Sequence, residues 1–277
     1  MPELSIIIPT YNEENDIFSS LISLSEQSYK NFEIIIVDDG STDRTLEIVE
    51  KFKEQNKISI KILKQLHGGP GKARNFGAKN AKGEILIFID ADMRFDKDYL
   101  KNLIEPILKT RGIGTTHELE LVNNINNIWS RCWGRVRVSK EEAKDVKIFR
   151  AIRKKEFLEL GGFEPKYGYA DDQTLWFKYK IKPIVAKNTI CYHKNPETLK
   201  QVFKQSRWIG ASHDAGLIKF AMMIIFFPVL IPILSIRKSW KNKDFSIFPA
   251  MIIFMTARYF GNLAGYYRKI FCKENIK

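Results

Sequence analysis

Asp90 and Asp92 flank a single alanine, directly after the apolar run Ile85-Leu86-Ile87-Phe88-Ile89. Two carboxylates one residue apart, where a buried strand turns into a loop, can both turn toward one cation. Hard oxygen donors suit Mg2+ or Mn2+, which would bridge to a diphosphate. An Asp-X-Asp by itself is common and marks solvated loops and helix caps as well as sites. Its place at a strand end gives it weight. Asp38-Asp39-Gly40-Ser41-Thr42-Asp43 follows another buried run. An acid there, Asp39 above all, can accept from a base N–H or a ribose hydroxyl, whereas Gly40 and Asp43 suit a plain turn with a helix cap. His67-Gly68-Gly69-Pro70-Gly71-Lys72-Ala73-Arg74-Asn75 sets glycines and then cations at a helix start, a combination that favours phosphate. Its spacing matches neither a Walker loop nor a dinucleotide fingerprint.

Asp171 and Asp172 lie between Tyr167-Gly168-Tyr169 and Gln173-Thr174-Leu175-Trp176. Adjacent carboxylates in a glycine- and aromatic-rich setting can raise one pKa and poise that group as a general base. A helix N-cap pair reads the same way. His193 follows the strand-like Ile190-Cys191-Tyr192; a lone histidine is more often a satisfied core or surface residue than a ligand. Arg207-Trp208 can meet a diphosphate or stack on a ring, or form part of an amphipathic helix near a membrane.

These residues need a frame, and the apolar periodicity supplies one. Residues 4–8 are a short β-branched run closed by Pro9, and residues 32–37, 58–63 and 84–89 are three more strands. Between them, Ile17, Phe18, Leu21, Ile22 and Leu24 recur at helical spacing over residues 13–28. Thr42 or Asp43 can cap a helix reaching Lys53, and residues 72–80 and 97–109 read as further helices. Alternating strands and helices imply βαβ units, hence an α/β fold with a mainly parallel sheet and helices on both faces. Ligands of such sheets sit beyond the carboxyl ends of the strands. Tyr11-Asn12-Glu13, Asp38-Asp39 and Asp90 with Asp92 all fall at those ends, so they converge where surface charges would scatter. Residues 112–146 are less regular: Trp129, Trp133, Arg131, Arg135 and Arg137 mark a helix or hairpin that lines an acceptor site or caps the sheet. A strand over 149–153, a helical turn over 155–160 and a break at Gly161-Gly162-Phe163 follow.

The 277-residue chain carries a formal net charge of +13, which points to an anionic partner. Its 3 cysteines, Cys132, Cys191 and Cys272, are too far apart for a zinc or disulfide framework. No basic segment followed by an apolar one opens the chain, so no signal peptide is expected and the bulk is expected in the cytoplasm. The last third changes character. Residues 220–236 are apolar and uncharged, with Pro228 and Pro232; residues 245–257 are a second apolar stretch, extended weakly to Tyr267. Arg237, Lys238, Lys241 and Lys243 lie between them, and Arg268, Lys269, Lys273 and Lys277 follow. The first stretch reaches only the lower end of a spanning helix, and a two-helix hairpin would leave the intervening cations on the far side, against the positive-inside tendency. Helices lying in the interface fit as well. The division expected is a catalytic domain over 1–216 and a membrane-associated hydrophobic and basic region over 217–277. Buried core helices or an oligomer interface are the competing reading. Nucleic acid is excluded as the partner, because much of the basic charge flanks apolar segments without interleaved aromatics.

Taken in order, Ser5-Ile6-Ile7-Ile8-Pro9-Thr10-Tyr11-Asn12-Glu13-Glu14, Val37-Asp38-Asp39-Gly40-Ser41-Thr42-Asp43, Ala73-Arg74-Asn75, Asp90-Ala91-Asp92 and Gly161-Gly162-Phe163 through Asp171-Asp172 resemble a family 2 glycosyltransferase over residues 2–210. The resemblance implies a GT-A Rossmann-like fold and an inverting displacement. It implies that Pro9, Tyr11 and Glu13 line the nucleotide pocket, that Asp39 meets the uracil or ribose, and that Arg74 lies near the base or phosphates. Asp90 would reach the ribose or sugar, Asp92 would bind the Mg2+ or Mn2+, and Asp172 would be the catalytic base, beside Asp171. In several relatives a histidine after this region approaches the metal or diphosphate, which brings His193 into the metal set with Asp92 and Asp90. Two departures stand out. The acidic segment reads Asp171-Asp172-Gln173-Thr174 where Glu-Asp and a further acid are usual, and Lys204 replaces the Gln of the Gln-X-X-Arg-Trp signature of processive synthases, although Arg207 and Trp208 are present. The donor implied is a UDP- or GDP-sugar. The acceptor implied is a glycan or a lipid-linked hydroxyl or phosphate at the cell membrane, with the catalytic domain facing the cytoplasm. A nucleotidyltransferase is excluded because Pro9-Thr10-Tyr11-Asn12 stands where its glycine-rich basic loop would be. A catalytically silent sugar-nucleotide-binding scaffold is the alternative, and the intact Asp90, Asp92 and Asp172 speak against it.

Overall fold

The computed structural model describes residues 3–110, 112–212 and 217–272. The expected boundary at residue 216 and the cations Lys273 and Lys277 lie outside the described residues. The first half is a run of strands and helices: β1 (Leu4–Thr10), α1 (Ile17–Ser25), β2 (Phe32–Asp38), α2 (Thr45–Gln55), β3 (Ile60–Lys64), α3 (Pro70–Asn80), β4 (Ile85–Phe88), β5 (Met93–Phe95) and α4 (Tyr99–Lys109). Then come β6 (Gly114–Val122), α5 (Ile128–Trp133), β7 (Val136–Val138), β8 (Ala151–Arg153), α6 (Lys154–Glu159), α7 (Thr174–Tyr179) and β9 (Ile184–His193). The chain ends in α8 (Leu199–Ser212), α9 (Leu217–Lys241) and α10 (Phe248–Tyr267).

The chain divides into two compact units. One comprises Met1–Leu121, Val138–Pro165 and Asp171–His193; the other comprises Val122–Arg137, Lys166–Ala170 and Lys194–Lys277. In the first, the strands lie in the order β3-β2-β1-β4-β8-β6-β9-β5. β1 pairs in parallel with β2 and β4, and β2 with β3, whereas β8 runs antiparallel to β4 and β6, and β5 antiparallel to β9. The parallel half is the one the periodicity of residues 4–89 foretells; the antiparallel half joins the 3-residue β5 and β8 to β6 and β9, of 9 and 10 residues, which the sequence did not mark as strands along their length.

The parallel strands are apolar on both faces because helices cover both. Ile6, Ile8, Ile34, Ile36, Ile85 and Ile87 pack with Leu21 of α1, Phe52 of α2 and Leu103 of α4. The alternate residues Ile7, Ile35, Val37, Leu86 and Phe88 pack with Ala73 and Ala78 of α3 and Phe157 of α6. Each fully buried Ile or Leu contributes about 1.5–3 kcal/mol, so a one-residue slip that exchanged the two sets would be resisted strongly. β1 runs on through Pro9 where the sequence suggested an end. β4 stops opposite Ile7, so Pro9 sits where that side of β1 has no ladder left to interrupt. α2 begins at Thr45, with Arg44 at its cap position, so neither Thr42 nor Asp43 is the N-cap residue proper. Asp43 acts nearby: its carboxylate accepts from the Thr45 N–H at 3.0 Å and hydroxyl at 2.6 Å.

In the second unit, α5 is the helix foreshadowed by Trp129 and Trp133. Asn127 caps it, accepting from the N–H groups of Trp129 and Ser130 at 2.9 and 3.1 Å. Cys132, Val202, Ile247, Met251 and Phe254 form a core between α5, α8 and α10. α8 and α10 touch backbone to backbone: a Cβ on Gly265 would stand 2.1 Å from the carbonyl oxygen of Arg207. Among the described residues one stretch, Phe245–Phe271, is long and apolar enough to cross a membrane, with a mean hydropathy of 1.3. The outer face of α9 exposes Ile225, Phe226, Val229, Ile233 and Trp240.

Candidate active site

The loops after β1 and β2 are laced together, and this places the first three residues implied by the sequence. The Asn12 N–H donates to the Ser41 hydroxyl at 3.0 Å, the Thr42 N–H to the Asn12 side-chain oxygen at 2.8 Å, and the Glu13 N–H to the Thr45 hydroxyl at 2.7 Å. Asn12 takes a positive φ of 59° to make the turn. Tyr11 is thereby left partly exposed, its ring 4.2 Å from that of His67. Asp39, buried at the end of β2, gathers the glycine loop. Its carboxylate accepts from the N–H groups of Gly68 and Gly69, each at 2.8 Å, from Gln65 at 2.7 Å, and pairs with His67 Nδ1 at 2.9 Å. Those N–H groups, anticipated as phosphate donors, are therefore already engaged by Asp39.

Beyond β4 lies a chain of alternating charges. Arg74, buried on α3, donates to Asp90 Oδ1 at 2.7 Å and to Asp171 Oδ1 at 3.0 Å. Arg150, just ahead of β8, approaches the other Asp90 oxygen at 3.4 Å. Burial works against the Asp90 charge, but the two guanidinium groups outweigh it and hold Asp90 well below the usual carboxylate range. Asp171 is buried against α3, where a Cβ on Gly71 would stand 2.5 Å from its Oδ2. Asp172, half-buried, is different. Burial pushes its carboxyl up to about 7, with Arg74 opposing and the negative charge of Asp171 adding to the rise. Glu13 is pushed up to about 8, first by burial and then by the charges of Asp92 and three other acids. Glu13 thus stands in the field of Asp92 and Asp90, so a cation on that side would favour its ionised form.

A buried relay stands behind Asp92. His193 Nε2 lies 3.1 Å from Asp92 Oδ1, and His193 Nδ1 lies 2.7 Å from Glu120 Oε1. The second oxygen of Glu120 lies 2.9 Å from His117 Nε2. Burial would raise Glu120, but hydrogen bonds from the two histidines hold it well below its ordinary value. The remaining nitrogen of His117 stands 3.4 Å from both the Tyr99 hydroxyl and Cys191 Sγ. His117, Glu120 and Cys191 bring ligand atoms within 4.8 Å of one another, all buried. Glu120, however, already serves both histidines. A carboxylate on the far nitrogen of a histidine fixes its ring and tautomer for metal binding, and the Glu120–His193–Asp92 order has that form.

The fold therefore brings together Tyr11, Glu13, Asp39, Arg74, Asp90, Asp92, Asp171, Asp172 and His193 in the first unit, with Pro9 on the strand that leads into it. Arg207 and Trp208 belong to the second unit, where the Trp208 ring meets that of Tyr169 edge-on at 5.1 Å. The sequence reading did not single out Arg150, Glu120 or His117. Arg150 next to the apolar run Ala151-Ile152 was a signal the sequence offered; His117 and Glu120, three positions apart on β6, gave none.

The profile of the glycosyl transferase family 2 matches residues 5–163, more than half of the chain. The chain belongs to that family. Among family relatives, a poly(ribitol-phosphate) β-N-acetylglucosaminyltransferase, TarS, of Staphylococcus aureus is 43% identical over 104 residues, covering 37% of this chain and 18% of TarS. The match thus spans under a fifth of that relative. A Campylobacter jejuni GalNAc(5)-diNAcBac-PP-undecaprenol β-1,3-glucosyltransferase is 27% identical over 284 residues, covering 98% of this chain and 86% of that protein. The fold is that of the crystal structure of TarS residues 1–349 in complex with UDP (TM-score 0.57, 21% identity, 100% of this chain and 93% of that one). It is also that of a Pyrobaculum calidifontis mannosyltransferase in complex with GDP-Man and Mn2+ (TM-score 0.60, 20% identity, 99% and 88%). These GT-A folds share the mixed sheet described above.

Proposed function

We propose that this family 2 chain transfers a sugar from a UDP- or GDP-sugar to an acceptor hydroxyl, with inversion, and that Asp172 is the base. The observation that carries the reading is the environment of Asp172, an acid held near half-protonation at neutral pH beside the Arg74–Asp90–Asp171 cluster. A base poised near the working pH both accepts a proton readily and is available to do so. Asp171, tied to Arg74, holds position. Asp90, bonded to two guanidinium groups, suits a hydroxyl of the ribose or sugar better than a metal. Asp92 and His193, backed by Glu120, suit Mg2+ or Mn2+, and Glu13 adds charge to that side. Such an ion neutralises charge on the leaving diphosphate. Tyr11 and His67 offer a ring wall to a base, and Asp39 stiffens the loop beside it.

The acceptor we propose lies at a membrane. The apolar stretch Phe245–Phe271 and the exposed apolar face of α9 support association with lipid, and a relative covering nearly the whole chain is named for an undecaprenol-linked acceptor. A lipid-linked glycan or phosphate on the cytoplasmic face of the cell membrane is therefore the substrate class proposed. The test is transfer from a panel of UDP- and GDP-sugars to lipid-linked acceptors, with Mn2+, by wild type and Asp172→Asn. The reading expects transfer by the wild type only, with nucleotide-sugar binding kept in the variant. Equal transfer by Asp172→Asn would remove Asp172 as the base. Binding without transfer in the wild type would favour a scaffold.

A further inference from the structure

Among its described residues the second unit carries two cations, Lys238 and Arg258, that no acid pairs with. Lys238 on α9 and Arg258 on α10 share the ring of Phe254: the ammonium nitrogen lies 5.0 Å from its centroid and the guanidinium carbon 5.8 Å. Arg258 also lies 4.5 Å from the centroid of a Trp133 ring on α5. Both cations are half-buried, and the Nε of Arg258 is shielded from solvent without a hydrogen-bond partner. Neither forms an ion pair among the described residues. Asp244, in the same unit, is taken by Arg131 at 3.7 Å and Arg135 at 3.1 Å. The Nε of Arg207, on α8, is likewise buried and unpartnered.

Withdrawing a cation from water without a counter-charge is unfavourable, and packing two on one ring adds repulsion. The aromatic faces offset part of that cost. They do nothing for the guanidinium N–H, which requires an acceptor. Two cations, an unsatisfied planar donor and two aromatic walls together complement a phosphate group, whose oxygens accept from a guanidinium in a charge-assisted pair. We propose that Lys238 and Arg258, walled by Trp133 and Phe254, bind the phosphate of a phosphate ester. The exposed apolar residues of α9 suit a lipid tail on that ester. The lipid tail rests on the acceptor reading above; the phosphate site does not.

The test uses the full chain in EDTA, so that metal-dependent nucleotide binding does not contribute. Affinity is measured for inorganic pyrophosphate by calorimetry, and for phosphatidylcholine vesicles with and without phosphatidic acid by co-sedimentation. Arg258→Gln and Lys238→Gln should each weaken the phosphate-dependent binding about tenfold or more, with Arg258→Lys retaining part of it. Lys200→Gln with Lys243→Gln, which removes two exposed charges, should leave it unchanged. Loss in both arms supports the site for free and lipid phosphate alike. Loss with vesicles only identifies a lipid headgroup, and loss with pyrophosphate only identifies a soluble phosphate. Equal effects of the exposed pair, or no effect of the buried pair, overturn the proposal. Should a variant misfold, the wild type still decides: if pyrophosphate gives no calorimetric signal and phosphatidic acid adds nothing to vesicle binding, there is no site.

Discussion

At the scale of single residues, burial raises the carboxyl of Asp172 to about 7, against the pull of Arg74. A base acts in its ionised form, so kcat/KM with Mn2+ saturating is expected to climb with pH through about 7 and then level. The residual rate of Asp172→Asn, lower by about a hundredfold or more, should show no such limb. The same shift bears on stability. A folded pKa raised above the ordinary 3.8 contributes stability that is full below 3.8 and is lost as pH rises through about 7. Metal-free Asp172→Asn should therefore melt above the wild type at pH 8, by roughly 2 °C or more, and level with it at pH 4; calorimetric scans at the two values check this. Glu120 offers a second measurement. Glu120→Gln keeps the shape but weakens the grip on His193, so Mn2+ affinity read by titration calorimetry with UDP should fall about tenfold. Unchanged affinity would leave Glu120 a purely structural partner of His117.

Among elements, α3 positions the charged cluster by close approach. Gly71 in its first turn lies against Asp171, and a methyl there would stand 2.5 Å from the carboxylate oxygen. Alanine favours a helix interior over glycine by about 1 kcal/mol, so Gly71→Ala should keep the helix while displacing Asp171 from Arg74. The expected outcome is a kcat reduced about tenfold or more with an unaltered far-ultraviolet circular dichroism spectrum. Much at this scale was legible in advance. The apolar runs before Tyr11, Asp39 and Asp90 marked strands, and the parallel register aligned their carboxyl ends. Hidden from the periodicity was the antiparallel half. β6 carries His117 and Glu120 three positions apart, which a regular pleat sends to opposite faces, yet the two side chains meet at 2.9 Å. No alternation rule yields that pair.

For the whole molecule, the apolar stretch Phe245–Phe271 and the outer face of α9 predict that the full chain pellets with membranes after detergent-free lysis. About 1 M salt screens surface charges to within a few ångströms, so apolar insertion should hold the protein in the pellet through a salt wash. Release by salt would point to the +13 net charge as the attachment. The sequence by itself determined where the parallel strands lie, because apolar runs and turn residues are local properties, and so it determined that Asp39, Asp90 and Asp92 follow the carboxyl ends of such strands. Tertiary structure alone decided what each acid is. Arg74 meets Asp171 from 97 positions away, and Glu120 meets His193 from 73. Whether a carboxylate is anchored, depressed or poised near neutrality depends on burial and on such partners, and the linear order of residues records neither.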